Sequence, residues 1–264
     1  MSYFTPHRQI GIALSLAVAV FFYACWVEPY WIETTHHEIK GAIKSPLKIC
    51  HLSDLHVRSF GVRERRVLAI IEEEKPDAIL ISGDSFIDPD TVPALKAFLA
   101  KLKAPLGVWG VRGNWENWHR VPKEAAFYRD LGMRFLVNEA TSLRDDVWIV
   151  GFDDASSGVP TPETTLSKVP AEIFKIGLFH APGFFLRIAG RIDLSLAGHT
   201  HGGQLRLPFL PPLYLPPGCR GFVQGWYQQN GSKMFVSRGI GTSILNMRFL
   251  ARPEVAIINI TTKE

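Results

Sequence analysis

Two periodicities alternate along residues 46–200. Leu47-Lys48-Ile49-Cys50-His51-Leu52, Ala78 to Ser82 and Leu106 to Val111 are short apolar runs that stop at polar or glycine-containing loops, the form of buried strands. Between them, Val62 to Glu74 places Val67, Leu68, Ile70 and Ile71 at helical spacing until Pro76 ends the pattern. Thr91 to Lys101 repeats the motif, with Thr91 as N-cap and Pro93 in the first turn. This order of strand, loop and helix predicts β-α-β units, in which ligands lie beyond the carboxyl ends of the strands. The later half changes character. Arg134 to Val137, Thr141 to Arg144 and Val147 to Phe152 are short strands at close spacing and predict hairpins. Ile173 to Phe179 reads as a strand, Pro182 to Ala189 as a helix and Leu194 to Ala197 as a strand. Gln204 to Leu207, Met234 to Val236 and Val255 to Ile260 are expected to complete a second sheet. No internal repeat interrupts this α/β pattern.

The N-terminus follows neither period. Ile10 to Val27 carries no charge over eighteen residues. As a helix it would span roughly 27 Å at ~1.5 Å per residue, close to the hydrocarbon thickness of a bilayer. Trp26, Tyr30 and Trp31 follow where aromatic side chains favour the headgroup zone, and His7-Arg8 precede it. Residues 1–27 are therefore read as a single-pass anchor, with a cleaved signal peptide as the rival; no small-x-small cleavage site follows. Arg8 and the terminal amine, set against the more distant Lys40 and Lys44, slightly favour an N-terminus inside. Residues 28–45 read as a linker and 46–262 as the folded domain.

Composition narrows the classes. The chain has 264 residues and 47% apolar content, enough for a sizeable core. Lys plus Arg number 29 against 25 Asp plus Glu, a net charge of +4 that suits a phosphorylated ligand or an anionic membrane and selects neither. Without a basic stripe, no nucleic-acid partner is expected. The three cysteines, Cys25, Cys50 and Cys219, have no C-x-x-C spacing, which argues against a disulfide framework or a cysteine zinc site. Pro208 to Pro217 is apolar, but its prolines forbid a helix or a paired strand. It is either a stiff loop packed on the domain or an exposed lip that holds an acyl chain or touches the bilayer.

The strand ends carry the candidate chemistry: Asp54 and His56, Asp84, Asn114, His180, and His199 with His201. Each has an ordinary reading taken singly, as a loop cap, a turn former or a core histidine. Carboxylate, amide and imidazole donors in one set suit manganese, iron or zinc, whereas an all-oxygen set would suggest magnesium or calcium. Seven donors exceed one closed tetrahedral site, against a purely structural metal.

In these residues the chain resembles the calcineurin-like metallophosphoesterase superfamily. Its blocks are matched by Asp54-Leu55-His56, Gly83-Asp84, Gly113-Asn114-Trp115-Glu116, His180 and Gly198-His199-Thr200-His201. The anchor, with Gly202-Gly203-Gln204, Ser237-Arg238-Gly239-Ile240-Gly241-Thr242 and Arg252-Pro253-Glu254, is similar to a membrane-associated bacterial phosphodiesterase branch whose relatives hydrolyse UDP-2,3-diacylglucosamine in lipid A synthesis. The resemblance implies a two-sheet α/β sandwich flanked by helices, a place in the cytoplasmic membrane, and two divalent ions, manganese first with iron or zinc as alternatives. It implies that Asp54, His56 and His201 bind one ion, Asn114, His180 and His199 the other, and that Asp84 bridges them. Such a pair can share a water, lower its pKa and clamp an in-line displacement at phosphorus. The expected activity is therefore hydrolysis of a phosphodiester or pyrophosphate in a lipid-linked or nucleotide-linked substrate such as UDP-2,3-diacylglucosamine; the alternative is a membrane-tethered scaffold or binding protein of the same fold. Arg58 or Arg112 could add charge, or lie on the surface. The family's histidine after the asparagine is Trp115 here, and indole is no general acid. His119 and His56 are the candidates to replace it; otherwise the substrate has a leaving group that needs little protonation. Trp115 would then stack on a base or simply pack.

Overall fold

The computed structural model describes residues 6–263 and contains two six-stranded sheets. In chain order the strands are β1 (Glu33–Gly41), β2 (Leu47–Leu52), β3 (Ala78–Ile81), β4 (Val108–Val111), β5 (Met133–Leu136), β6 (Glu139–Arg144), β7 (Val147–Gly151), β8 (Phe174–Leu178), β9 (Leu194–Ala197), β10 (Gly225–Gln229), β11 (Ser232–Val236) and β12 (Glu254–Thr262). One sheet runs β1-β12-β2-β3-β4-β5 and the other β10-β11-β9-β8-β7-β6. The two-sheet α/β sandwich that the resemblance implies is present.

Strands β2 to β5 are mutually parallel, as are β7, β8, β9 and β11. Buried on both faces, they read as continuous apolar runs rather than alternating ones. One core lies between the sheets, where Ile49, Leu80 and Ile258 meet Ile149, Ile176 and Leu196. A second lies outside the first sheet, against the helices Val62–Glu74 and Val92–Leu99. A third covers the outer face of the second sheet with Phe184, Phe185 and Ile188. The parallel direction matters most for function, because it gathers the loops after β2, β3, β4, β8 and β9 at one edge.

Several expectations are corrected. Residues 28–45 are not a linker: Glu33–Gly41 is edge strand β1, paired in parallel with β12 over nine residues. Val255–Ile260 lies in β12 and joins the first sheet, between β1 and β2, rather than the second. Arg134–Val137 makes no hairpin; β5 pairs with β4, and the antiparallel hairpin is β6 with β7. Gln204–Leu207 is not a strand and keeps a single bridge, Leu205 to Phe249. Pro182–Ala189 is a three-residue 3-10 turn running into a short α-helix. For β1, β12 and β5, pairing partners far away in sequence outvote the local pattern.

The apolar N-terminal helix spans Pro6–Phe22 and continues through a π turn, Tyr23–Val27, and a 3-10 turn, Glu28–Tyr30. Residues 1–5 of the expected anchor lie outside the described residues. From His7 to Phe22 every side chain is exposed, so among the described residues nothing buries this helix. Its lower end is different. Ala24 and Glu28 are buried; Ala24 O accepts from Arg248 N at 2.9 Å, and Glu28 accepts from the amides of Leu250 (3.0 Å) and Ala251 (2.6 Å). Glu28→Ala would leave two amides without an acceptor, at about 1–3 kcal/mol for each one that stays buried. We expect Tm of the full chain in detergent to fall by roughly 5 °C; an unchanged Tm would show that this stem is not part of the folded unit.

Candidate metal centre

Five strand ends deliver the seven donors. Asp54 and His56 follow β2, Asp84 follows β3, Asn114 opens the short helix after β4, His180 follows β8, and His199 and His201 follow β9. The loops are stitched together by their own backbone: Asp54 N donates to Gly83 O (3.1 Å), His56 N to Asp84 O (3.0 Å) and Gly198 N to His180 O (3.0 Å). Such close approach needs glycine. A Cβ on Gly83, at φ +92°, would stand 2.5 Å from Gly113 N, and one on Gly198 would run into Ser53 Oγ. Five donor residues themselves have left-handed backbone: Asp54 (φ 48°), His56 (41°), Asp84 (55°), His199 (72°) and His201 (50°). For residues with a Cβ this conformation costs about 1 kcal/mol or more each, and such strain collects at functional sites.

The side chains form two groups. Asp54, His56 and His201 converge in one; Asp84, His180 and His199 converge in the other, with Asn114 Oδ1 3.2 Å from His180 Nε2. Asp84 Oδ2 stands between them, 3.1 Å from His180 Nε2 and 3.6 Å from His56 Nε2. All seven residues are buried. Hydrogen bonds outside the centre set two of the rings. His180 Nδ1 donates to Ser82 O at 2.7 Å, and His199 Nε2 donates to Pro217 O at 2.9 Å. Their other nitrogens, His180 Nε2 and His199 Nδ1, then face each other at 3.0 Å beside Asp84 Oδ2, so the position between them takes either a proton on His180 or a bound cation. Outer hydrogen bonds of this kind are how metal-binding imidazoles are oriented.

The electrostatics agree. Burial would hold Asp84 up, but His180 and His56 outweigh it and bring the carboxyl to about 2. Burial would keep His180 neutral, yet Asp84 and Asp54 hold its imidazole well above the usual histidine range. Burial takes His56 down to about 4 against the pull of Asp84, and burial, with His56 and Arg248 beside it, puts His201 well below its ordinary value. Burial raises the Asp54 carboxyl against the pull of His180. The carboxylates thus draw a proton onto His180, and a divalent cation held by the same donors would displace it.

A model of the calcineurin-like phosphoesterase family matches residues 47–203, the span that carries all seven donors. The chain belongs to the calcineurin-like phosphoesterases. Metallophosphoesterase YkuE of Bacillus subtilis is 35% identical over 256 residues, covering 90% of this chain and 88% of that protein. A metallophosphoesterase of Aquifex aeolicus is 33% identical and covers 90% of this chain and 92% of its own. The phosphodiesterase YaeI of Escherichia coli is 28% identical over 91% and 92% of the two chains. This calcineurin-like phosphoesterase is a hydrolase with two candidate metal-binding groups.

The remaining candidates fall elsewhere. His119 caps the helix Asn114–Trp118, stacks on Trp115 with ring centroids 5.7 Å apart, and does not line the cleft above the centre. Trp115 stands edge-to-face to His56 at 5.5 Å and to Trp118 at 5.6 Å, so it packs as a wall between His119 and the donors. His56 turns Nε2 to the first group, 3.2 Å from His201 Nε2. Arg112 is held by Glu124 (Nε to Oε2, 2.7 Å) and faces Asp153, while Arg58 is exposed; neither lines the cleft.

Two buried residues were not assigned a role from sequence. Glu116 accepts from the amides of Asp84 (2.9 Å), Ser85 (2.7 Å) and Gly113 (2.8 Å), clasping the second and third donor loops together. Its position three residues into a helix that opens at Gly113 is the available signal, a capping-box spacing. Arg248 is fully buried under His201 and donates to the carbonyls of Gly241 (3.0 Å), Ala251 (2.8 Å) and Arg238 (3.0 Å). Burial pulls its guanidinium down to about 9. A lone arginine in a loop gives no such indication in sequence.

Proposed function

We propose that this phosphoesterase hydrolyses a phosphodiester or pyrophosphate whose leaving group is a weak base, in a lipid-linked or nucleotide-linked substrate such as UDP-2,3-diacylglucosamine, from a position anchored in the cytoplasmic membrane. The observation that carries the reading is the lining of the cleft. It measures about 540 Å³, within the range of small-molecule sites, and has the donor residues Asp84, Asn114, His199 and His201 at its floor. Among the described residues no lysine or arginine lines it, and no imidazole or carboxyl outside the donor groups does. An anionic phosphate therefore has to be met by cations held on the floor. Two divalent ions there, manganese by preference, would neutralise the phosphate and lower the pKa of the attacking water.

In this reading Asp54, His56 and His201 hold one ion, Asn114, His180 and His199 the other, and Asp84 is shared. Trp115 occupies the place of a leaving-group acid, so that help is lost, a contribution of roughly 10²–10⁴ where it exists. The substrate must then bring its own good leaving group. The apolar walls, Leu205, Leu213, Ile244 and Leu245 among them, and the phosphodiesterase among the relatives favour a diester with an apolar portion. The buried Ala24 and Glu28 support retention of the helix, since cleavage after Glu28 would strip two buried contacts from the domain.

With manganese supplied, turnover of bis(p-nitrophenyl) phosphate and of a nucleotide-linked pyrophosphate is expected to exceed turnover of an alkyl monophosphate by about 10²-fold or more. Comparable rates on all three would refute the leaving-group reading, and absence of metal-dependent turnover on any would refute the hydrolytic one.

A further inference from the structure

Outside the N-terminal helix, exposed large apolar side chains gather on two loops, 205–217 and 243–250. Phe209 is 105% exposed, Leu210 52%, Leu213 67%, Tyr214 63%, Ile244 82% and Leu245 52%. Prolines 208, 211, 212, 216 and 217 stiffen the first loop, so this exposure is built in rather than a matter of side-chain rotation. A contiguous apolar patch of this kind on a water-facing surface marks an interaction site.

What covers it is indicated by what the loops are attached to. Phe249 bonds to two residues of the first loop's base, its N donating to Gln204 O at 2.9 Å and its O accepting from Arg206 N at 2.9 Å, and Gln204 Nε2 donates to Leu245 O at 3.0 Å. The two loops are thus one unit. That unit rests on the foot of the apolar helix, through Arg248 N to Ala24 O, the Glu28 clasp on Leu250 and Ala251, and an edge contact of Tyr23 with Phe249 at 6.3 Å. Trp26, Tyr30 and Trp31 are exposed at the same foot, and Arg252 lies over Trp31 at 4.2 Å. Aromatic rings and a cation at the end of an apolar helix mark the headgroup layer. The same two loops supply the apolar wall of the cleft.

We infer that loops 205–217 and 243–250 lie in the headgroup layer of the bilayer that holds helix 7–30, so that the cleft opens on the membrane and takes the phosphate head of a membrane-resident lipid while its acyl chains stay in the bilayer. The inference rests on reading that helix as a membrane span, and it narrows the substrate class of the site proposed above.

The full chain, with Cys25→Ser to leave only the buried Cys50 and Cys219, is reconstituted in phosphatidylcholine–phosphatidylglycerol vesicles. An NBD label is placed on Phe209→Cys or, as control, on Lys103→Cys, which precedes β4 at the edge opposite the cleft. Doxyl groups at a shallow lipid position should quench the label at 209 several-fold more than at 103; equal quenching would overturn the proposal. This readout needs no turnover, so it stands apart from the phosphohydrolase reading. Phe209 and Leu210 lie outside the cleft lining, so the double variant Phe209→Asp, Leu210→Asp should leave bis(p-nitrophenyl) phosphate hydrolysis unchanged. It should slow hydrolysis of vesicle-borne phosphatidyl-p-nitrophenol by about tenfold. Equal rates of wild type and variant on the vesicle substrate would count against the placement.

Discussion

Asp84→Asn is expected to abolish turnover, with a loss of roughly 10³-fold or more and without unfolding the chain. Its Oδ2 reaches a histidine of each donor group, His180 at 3.1 Å and His56 at 3.6 Å, a placement no other carboxylate among the described residues shares at these distances. An amide removes the negative charge that both groups face in a buried, low-dielectric site, where charge counts for most. The side chain is 2% exposed, and its carboxyl sits near 2 because the flanking histidines outweigh burial. It is therefore ionised throughout the neutral range, and asparagine is no mimic of its working form. Oδ1 still has a role in the variant, since the amide of Trp115 donates to it at 2.9 Å and an asparagine oxygen can accept that bond. Metal content gives the second readout. The variant should retain fewer ions per chain than wild type by elemental analysis, together with a normal unfolding transition. Wild-type metal content with turnover within tenfold would mean that Asp84 is not the shared donor.

Glu116→Ala should be the most destabilising single change at this edge of the sheets. The carboxylate is fully buried and accepts three amides at 2.7–2.9 Å, those of Asp84, Ser85 and Gly113. Alanine would leave three donors without a partner and a void beside them, at about 1–3 kcal/mol for each amide that stays buried. Even half of that sum is a large part of the roughly 5–15 kcal/mol that holds a domain together. We expect poor accumulation of the variant or a fall in Tm of more than 10 °C. Glu116→Gln separates the clasp from the charge. Burial, with the nearby charge of Asp84, lifts the Glu116 carboxyl to about 7, so a neutral side chain of the same shape loses little electrostatically. Glutamine keeps one carbonyl acceptor and should recover more than half of the lost stability. An alanine variant within 1 kcal/mol of wild type would show that the amides find other partners.

These predictions rest on two kinds of information. The seven candidate donors were legible in sequence because they follow strand ends and the order of strands, loops and helices is local: Leu47–Leu52 announces β2, and Asp54 follows two residues later. The membrane-length helix was legible for the same reason, being a continuous run. What the helix stands on was not. Glu28 finds its partners at Leu250 and Ala251, more than two hundred residues away, and the polar stretch that contains β1 becomes a strand only because β12 lies beside it. Nor does a mixed run such as Glu33–Gly41 show a strand period clear enough to separate it from a linker.

The sequence by itself determined the donor chemistry, the α/β rhythm that delivers it to one edge, and the apolar helix. Only the tertiary structure decided how the donors meet: the left-handed backbone at Asp54, His56, Asp84, His199 and His201, the hydrogen bonds that orient His180 and His199, the Glu116 clasp, and the stacking of Trp115 on His119, which does not line the cleft. Residue type and local period fix which atoms can ligate and which segments bury. Distances, protonation and strain arise from contacts between segments far apart in the chain, and those exist only once the two sheets have closed on each other.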